Sequence, residues 1–234
     1  MELIQPEKFR ALANNKTIYF CLTREVNDFF KNIDFEHEFI LISGECDNKI
    51  TDKPTPTAAG HLLKNGESGD ANIKYIPPNL KLWFGQNVDY ISEKIIPIPI
   101  GLENTKYFPH LRKIEKLVSI TKTKKRIKNL IYLNFNIKTN PKERQYLYDN
   151  FKQLDYVTTE YGTNGVNYDN YLQNLYNHCF MLCPPGNGID VHQPWEALYV
   201  GTIPIQVKNN NNRGWRELPI CWLDNWEQLK DKNF

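Results

Sequence analysis

The sequence lacks the compositional features that place a protein in a membrane, in an oxidising compartment or on nucleic acid. No apolar run approaches the roughly 20 residues that span a bilayer, and the amino-terminal residues MELIQPEKFR have no signal-peptide core. The net charge is only +2, so no general attraction to nucleic acid or membrane follows. Five cysteines are an odd number, and nothing else indicates secretion. Reduced thiols and a cytoplasmic location are therefore expected.

Residues with the spacing of metal ligands are also missing. Cys179 and Cys183 flank a predicted strand, in which four residues span roughly 13 Å, too far to share one ion. No Asp-x-Asp segment follows a predicted strand. We therefore expect neither a metal nor another cofactor.

Short apolar runs alternate with helical patterns along the whole chain, and this alternation predicts an α/β protein. The predicted strands are 17–23, 38–43, 80–84, 94–100, 129–136, 156–160, 180–183, 203–207 and 218–223. The predicted helices are 25–32, 140–154, 168–177, 194–200 and 224–230. A basic stretch within 105–128 is the expected link, dividing the chain into domains 1–115 and 116–234. It is typical of a solvated linker, although some of its lysines could instead attract a nucleotide diphosphate.

The most informative stretch is 180–207, which has the pattern strand, turn, helix, strand. Pro194 suits the first position of a helix, and Gly201 suits the residue just past its end. Between them Trp195, Leu198 and Tyr199 fall on one helical face. The stretch is predicted to be a β-α-β unit.

The turn of this unit is Gly186-Asn187-Gly188, where the backbone can approach a ligand and a helix N-terminus can bind an anion. The dinucleotide fingerprint G-x-G-x-x-G is not met, because the third glycine is missing. Glu196 lies one turn into the helix, where a carboxylate would repel phosphate. It either accepts hydrogen bonds from sugar hydroxyls, as acidic residues do with a ribose, or merely favours the helix N-terminus.

The segment P-P-G-N-G-I-D-x-H-x-x-W-E-A-L-Y-x-G-T-I-P-I resembles the donor-binding motif of exostosin-like glycosyltransferases. That resemblance implies a GT-B fold, with two Rossmann-like domains facing a cleft, and it implies that Glu196 binds the ribose of a nucleotide sugar. The other donor-binding residues that it implies are Gly186, Asn187, Gly188, Asp190 and His192. The family usually has Arg after the His, whereas this chain has Gln193.

Weaker similarities to the family occur in W-F-x-Q-N, I-P-I-G-L-x-N and Y-L-N-F-x-I-x-T-N-P-x-x-R. The last segment adds three expected donor-binding residues: Asn136, Lys138 and Arg144. The two basic ones could compensate for the missing Arg, although Arg144 could equally be an exposed helix residue. Gln86 and Asn87 are candidates for acceptor binding or for backbone capping at strand ends.

A polar turn follows the second predicted strand. Its carboxylates, Glu45 and Asp47, are candidates for the general base or for acceptor contacts, and the alternative is that they only form the turn. Residues 48–73 are either an acceptor loop or a solvated loop, and His61 within them is not taken as a site.

The resemblance implies an enzyme that transfers a sugar from a nucleotide sugar, expected to be a UDP-sugar, to a hydroxyl of a glycan acceptor. The chemistry is expected to be metal-independent and inverting, with no nucleic acid as partner. The alternative is a degenerate module that binds a nucleotide or glycan without turnover. Gln193, Pro194 and a carboxyl terminus shorter than the family's favour the module, and suggest a minimal or truncated fold. Glu196 favours the enzyme.

Overall fold

The computed structural model describes residues 9–14, 16–34, 36–54, 69–104, 114–161 and 167–230. The chain divides into two compact units. The first consists of Met1–Leu102 together with Asn187–Asp190 and Asn209–Trp215, and the second consists of Glu103–Gly186, Val191–Lys208 and Arg216–Phe234. The long first segment of the first unit ends at Leu102, whereas the sequence predicts a domain boundary near residue 115. Residues 105–113, and residues 55–68 with His61, lie outside the described part.

The first unit contains a four-stranded parallel sheet. Its strands are β1 (Ile18–Leu22), β2 (Phe39–Gly44), β5 (Leu80–Gly85) and β6 (Ile95–Pro97), in the order β1-β2-β5-β6. A short parallel pair is formed by β3 (Ile50–Thr51) and β4 (Ala71–Asn72), and helix α1 runs over Val26–Asn32. The order of the strands in the four-stranded sheet follows the chain without a reversal.

The core of the first unit lies between this sheet and α1. Trp83 is completely buried, and its ring packs edge-on against Phe30 of α1 with centroids 5.3 Å apart. A buried indole N–H needs a hydrogen-bond acceptor. That of Trp83 donates to Ser43 Oγ at 2.8 Å.

The second unit contains a five-stranded parallel sheet. Its strands are β7 (Asn129–Phe135), β8 (Val157–Tyr161), β9 (His178–Leu182), β10 (Ile203–Val207) and β11 (Cys221–Leu223). Their order across the sheet is β11-β10-β9-β7-β8. Its helices are α2 (Ile114–Ile120), α3 (Pro141–Phe151), α4 (Tyr168–Tyr176) and α5 (His192–Val200).

Helices cover both faces of the second sheet, as in a doubly wound, Rossmann-like fold. Ile131, Leu133 and Phe135 of β7 pack on one face with residues of α3 and of the 3-10 helix Trp226–Lys230. Tyr132 and Asn134 alternate with them and face the side of α4 and α5, because successive strand residues point to opposite faces. The predicted α/β class with parallel sheets is therefore confirmed.

The predicted β-α-β unit is also present, with two corrections to its helix. α5 begins at His192, so Pro194 is its third residue, where the N–H would still have no partner within the helix. The buried face includes Glu196, Ala197 and Val200, whereas Leu198 and Tyr199 are only half-buried.

The prediction for the end of this helix is correct. Gly201 has φ of +73° with open space around its missing side chain, so its backbone conformation is what requires glycine. Among the described residues, none of the helices is long and apolar enough to cross a membrane.

Candidate functional site

The strand order of the second sheet reverses at β7. The chain moves from β7 outward to β8, and then returns to the other side of β7 to form β9. In open parallel sheets, ligands bind beyond the carboxyl ends of the two strands on either side of such a reversal. The residues that follow β7 and β9 here are Asn136–Thr139 and Pro184–Gly186. We call these two loops the switch-point edge.

Arg144 joins the two loops of the switch-point edge. It lies in the first turns of α3, and its guanidinium donates to Pro185 O at 2.9 Å and to Pro184 O at 3.2 Å. It also donates to Asn136 O at 3.0 Å and to Thr139 Oγ1 at 2.6 Å. One side chain thus holds the loop after β7 against the loop after β9.

All four of these acceptors are uncharged, although Arg144 is only 5% exposed. No described carboxylate forms an ion pair with it, although the nearby groups of Cys183 and Glu143 favour its charged form. Burial lowers the pKa of Arg144 to about 10, so the guanidinium is still protonated at neutral pH. A buried charge without a counter-ion is costly, and a bound anion would offset that cost.

Gly186 lies directly against this guanidinium. A Cβ at Gly186 would be 2.8 Å from Arg144 Nη2 and 3.2 Å from Val191 Cγ1. The glycine is therefore needed for close approach between the turn and the arginine.

Two further residues considered for the diphosphate, Lys138 on the loop after β7 and Gln193 on α5, have different roles. Lys138 is exposed, and its backbone N–H is capped by Asn136 Oδ1 at 3.0 Å. Gln193, which stands where the related family has Arg, donates to Asn134 O on β7 at 2.5 Å. Gln193 therefore fastens α5 to the sheet and brings no charge to the edge.

Glu196 is 2% exposed and lies on the buried side of α5. Its carboxylate accepts from Tyr171 Oη at 2.7 Å and from Tyr168 Oη at 3.2 Å. Both tyrosines belong to the first turn of α4, which starts at the same edge of the sheet as α5. Sequence reasoning missed this pair of donors. Its only signal was the i, i+3 spacing of two tyrosines on one helical face.

His192, the first residue of α5, forms a second polar pair in this unit. Its Nε2 lies 3.2 Å from Glu103 Oε2, and both side chains are 17% exposed. The other oxygen of Glu103 accepts from the Asn104 N–H at 3.0 Å. Glu103 had no role in the sequence analysis, because only the fold brings it to the start of α5.

The remaining expected residues lie in the first unit and bind its own backbone. Gln86 accepts from the Glu45 N–H at 2.9 Å and donates to Pro99 O at 3.2 Å. Asn87 donates to Cys46 O at 3.1 Å and accepts from the Asp190 N–H at 2.9 Å. Gln86 is 1% exposed and Asn87 is completely buried. Both amides therefore support the loops after β2 and β5.

Asp190 and Gly188 belong to the same arrangement. The carboxylate of Asp190 accepts from the Ile100 N–H at 2.8 Å. A Cβ at Gly188 would lie 2.8 Å from Asn87 Oδ1. The glycine therefore makes room for the side chain of Asn87. Asn187, beside it, is half-buried.

The two candidate bases also lie in the first unit, in the turn after β2. Glu45 has a positive φ of 57°, and its carboxylate, 3% exposed, pairs with Arg10 at 2.6 Å. Asp47 is half-buried in the same turn. The carboxylate of Glu45 is thus already engaged by a cation.

Among the described lysines of the basic stretch, Lys116 pairs with Asp169 in the first turn of α4 at 2.6 Å, and two others lie at the opposite edge of the sheet. Lys125 donates to Gly201 O at the end of α5, and Lys128 donates to Asn174 Oδ1 near the end of α4, both at 2.9 Å. The ends of these helices lie at the amino edge of the sheet, opposite the switch-point edge. Lys125 and Lys128 are therefore not placed to bind a diphosphate there.

Within the described ranges, no cluster of three or more His, Cys, Asp or Glu could hold a metal ion. Comparison of the chain with protein-family models finds no matching family. Comparison with curated proteins finds no matching sequence.

Proposed function

We propose that the protein is a metal-independent glycosyltransferase with the two-domain GT-B arrangement, working in the cytoplasm. It would transfer a sugar from a nucleotide sugar, a UDP-sugar in the first instance, to a hydroxyl of a glycan acceptor. The observation that carries the proposal is the buried guanidinium of Arg144, without a described counter-ion, where the strand order of the second sheet reverses.

The diphosphate of a nucleotide sugar would supply the negative charge that offsets the buried positive charge of Arg144. A guanidinium binds phosphate oxygens well, because its N–H groups form a planar fork that matches their geometry. Four hydrogen bonds to the surrounding loops hold the guanidinium in place before any ligand arrives, and they leave one of its five N–H groups for a phosphate oxygen. Exposed Lys138, on the loop after β7, adds positive charge to the same edge.

Glu196 is the group we assign to the ribose. Its helix starts at the switch-point edge, so its carboxylate is one turn away from the diphosphate position. A carboxylate accepts several hydrogen bonds at once, so bonds from two tyrosines still leave it acceptor capacity. Charge-assisted bonds to sugar hydroxyls are worth about 1.5–3 kcal/mol.

The acceptor hydroxyl would attack the anomeric carbon while the bond from that carbon to the diphosphate breaks, which inverts the configuration. The acceptor proton must pass to a base, and a carboxylate suffices. We assign this role to Asp47, because Glu45 is paired with Arg10. Positive charge at Arg144 stabilises the leaving diphosphate.

The test is a thermal-shift screen of the whole chain against UDP, GDP, ADP and their common sugar conjugates, followed by a turnover assay with the nucleotide sugars that bind. A ligand at about 100 times its Kd should stabilise the protein by about 2.7 kcal/mol. Glu196→Gln should lower affinity about ten- to a hundredfold. If no nucleotide shifts the melting temperature, the proposal is wrong.

A binding module without turnover is the second candidate. It is favoured by Gln193, which is uncharged and engaged with β7 through Asn134 O. Tight binding of a nucleotide sugar, with neither hydrolysis nor transfer to any of a panel of glycan acceptors, would support the module over the enzyme.

A further inference from the structure

The described hydrogen-bond donors to the carboxylate of Glu196 are two tyrosines of α4. Tyr168 and Tyr171 are three residues apart, so their rings lie on the same face of α4. Their rings stack with centroids 5.7 Å apart and an interplanar angle of 25°. Tyr171 also packs against Tyr132 of β7, at 6.1 Å between centroids. These contacts fix where both hydroxyl groups point.

Both hydroxyl groups donate to the carboxylate, one to each oxygen: Tyr168 to Oε1 and Tyr171 to Oε2. A carboxylate held at both oxygens cannot rotate freely about its last bond. The directions from which each oxygen can accept a further hydrogen bond are then fixed, so a ligand hydroxyl that binds there loses less conformational freedom on binding.

We propose that Tyr171 and Tyr168 are positioning residues that orient the Glu196 carboxylate toward the ribose hydroxyls of the nucleotide, and so set a preference for ribonucleotides over 2′-deoxyribonucleotides. This inference rests on the proposed function. Tyr171 has the larger share, because its bond of 2.7 Å is shorter than the 3.2 Å bond of Tyr168.

A structural role and a positioning role make different predictions for this pair. If the tyrosines only stabilise the fold, their loss lowers stability and leaves the ratio of affinities for the two sugars unchanged. If they position the carboxylate, their loss reduces that ratio even in a fully folded variant, because only the ribonucleotide uses the lost alignment.

The experiment measures the affinities of UDP and 2′-deoxy-UDP by calorimetry, with the GDP and ADP pairs in parallel, for wild type, Tyr171→Phe and Tyr168→Phe. The matched control is Tyr176→Phe. Tyr176 is also buried on α4, and its hydroxyl donates to Thr123 O at 3.0 Å, away from Glu196. Circular dichroism melting establishes that each variant is folded. If Tyr171→Phe is not folded, the comparison is made with Tyr168→Phe.

Wild type should bind the ribonucleotide about tenfold more tightly than its deoxy form, since one charge-assisted hydrogen bond differs. Tyr171→Phe should reduce that ratio at least threefold, Tyr168→Phe should reduce it less, and Tyr176→Phe should keep it. An unchanged ratio in both Tyr171→Phe and Tyr168→Phe, with nucleotide still bound, overturns the positioning role and leaves the proposed function intact. Absence of nucleotide binding in wild type overturns both.

Discussion

The carboxyl edges of the two parallel sheets are both lined with buried polar side chains, but these side chains bind different kinds of partner. In the first unit the amides of Gln86 and Asn87 pair with backbone groups of the loops around them. In the second unit a guanidinium, Arg144, is buried among carbonyl oxygens without a described counter-ion. At the first edge the described charge of Glu45 is paired with Arg10, whereas at the second edge the guanidinium of Arg144 contacts only uncharged acceptors.

The strand orders of the two sheets explain why the edges differ. The first sheet runs β1-β2-β5-β6, so each loop passes to the next strand on the same side. The second reverses at β7, so the loops after β7 and β9 leave in opposite directions and separate. A long charged side chain can hold such loops together and still face a ligand. Polar residues after a strand therefore indicate a binding site only together with the strand order.

The largest expected effect concerns two arginines that hold backbone carbonyls. Arg144 is in the second unit, and Arg213 in the first donates to Tyr90 O, Asn210 O and Ile95 O. Arg144→Met should lower the free energy of unfolding by about 3 kcal/mol, because buried carbonyls are left unpaired. Arg213→Met should cost less, since Arg213 is only half-buried and water can replace its bonds.

Urea unfolding and UDP titration of both variants measure this contrast. Nucleotide affinity should fall at least tenfold for Arg144→Lys, which keeps the charge and loses the fork, and should not change for Arg213→Met. If both arginine variants bind nucleotide as wild type does, the distinction between the two edges is wrong.

Two glycines of the same turn give the next effect. A Cβ would lie 2.8 Å from Arg144 Nη2 at Gly186, and 2.8 Å from Asn87 Oδ1 at Gly188. Gly186→Ala and Gly188→Ala should each lower stability by about 1–3 kcal/mol, as overpacked sites do. Only Gly186→Ala should also weaken nucleotide binding, because it displaces the guanidinium.

Thermal melting and UDP calorimetry on the pair of alanine variants separate the two roles. Equal loss of nucleotide affinity in both would mean that the whole turn, and not the edge of the second unit, recognises the ligand.

The smallest effect is a pH dependence that belongs to the first unit. Burial raises the pKa of the Cys21 thiol from 9.0 to about 12. Because the folded pKa is the higher one, this contribution to stability is complete below the unfolded pKa and is lost as pH rises through that value toward 12. From about pH 8 to about pH 10 the free energy of unfolding should fall by about 1 kcal/mol from this group.

Urea titrations at both pH values, with wild type and Cys21→Ala, check this expectation. The alanine variant should be less stable at the lower pH and should show a shallower alkaline decline. An identical decline in both proteins would assign it to other groups.

The amino-acid sequence by itself determined the fold class and most of the longer strands and helices, but not β3, β4 or α2, which lies in the stretch predicted to be a linker. Apolar runs and helical periodicity are local, so the β-α-β unit of β9, α5 and β10 follows from a few adjacent residues. The end of α5 at Gly201 is equally local, because a left-handed backbone favours glycine. The start was misplaced by two residues, since Pro194 suits any position in the first turn.

Only the tertiary structure decided what the polar residues bind. Arg144 could be an exposed helix residue by its pattern, and it is buried because the carbonyls of Pro184 and Pro185 come to it from 40 or more positions along the chain. Residues 209–212 are four consecutive Asn without a periodic pattern. In the fold Asn209 and Asn212 bond to each other, and Asn211 accepts from the Val88 N–H.

The same limit applies to Glu196. Its place in the helix follows from the sequence pattern, but the two tyrosines that donate to its carboxylate do not. A local sequence window predicts which backbone conformation a residue adopts, because that depends on its neighbours along the chain. Whether a carboxylate or a guanidinium forms hydrogen bonds with water or with protein groups depends on residues distant in sequence. Those contacts exist only once the sheets have formed.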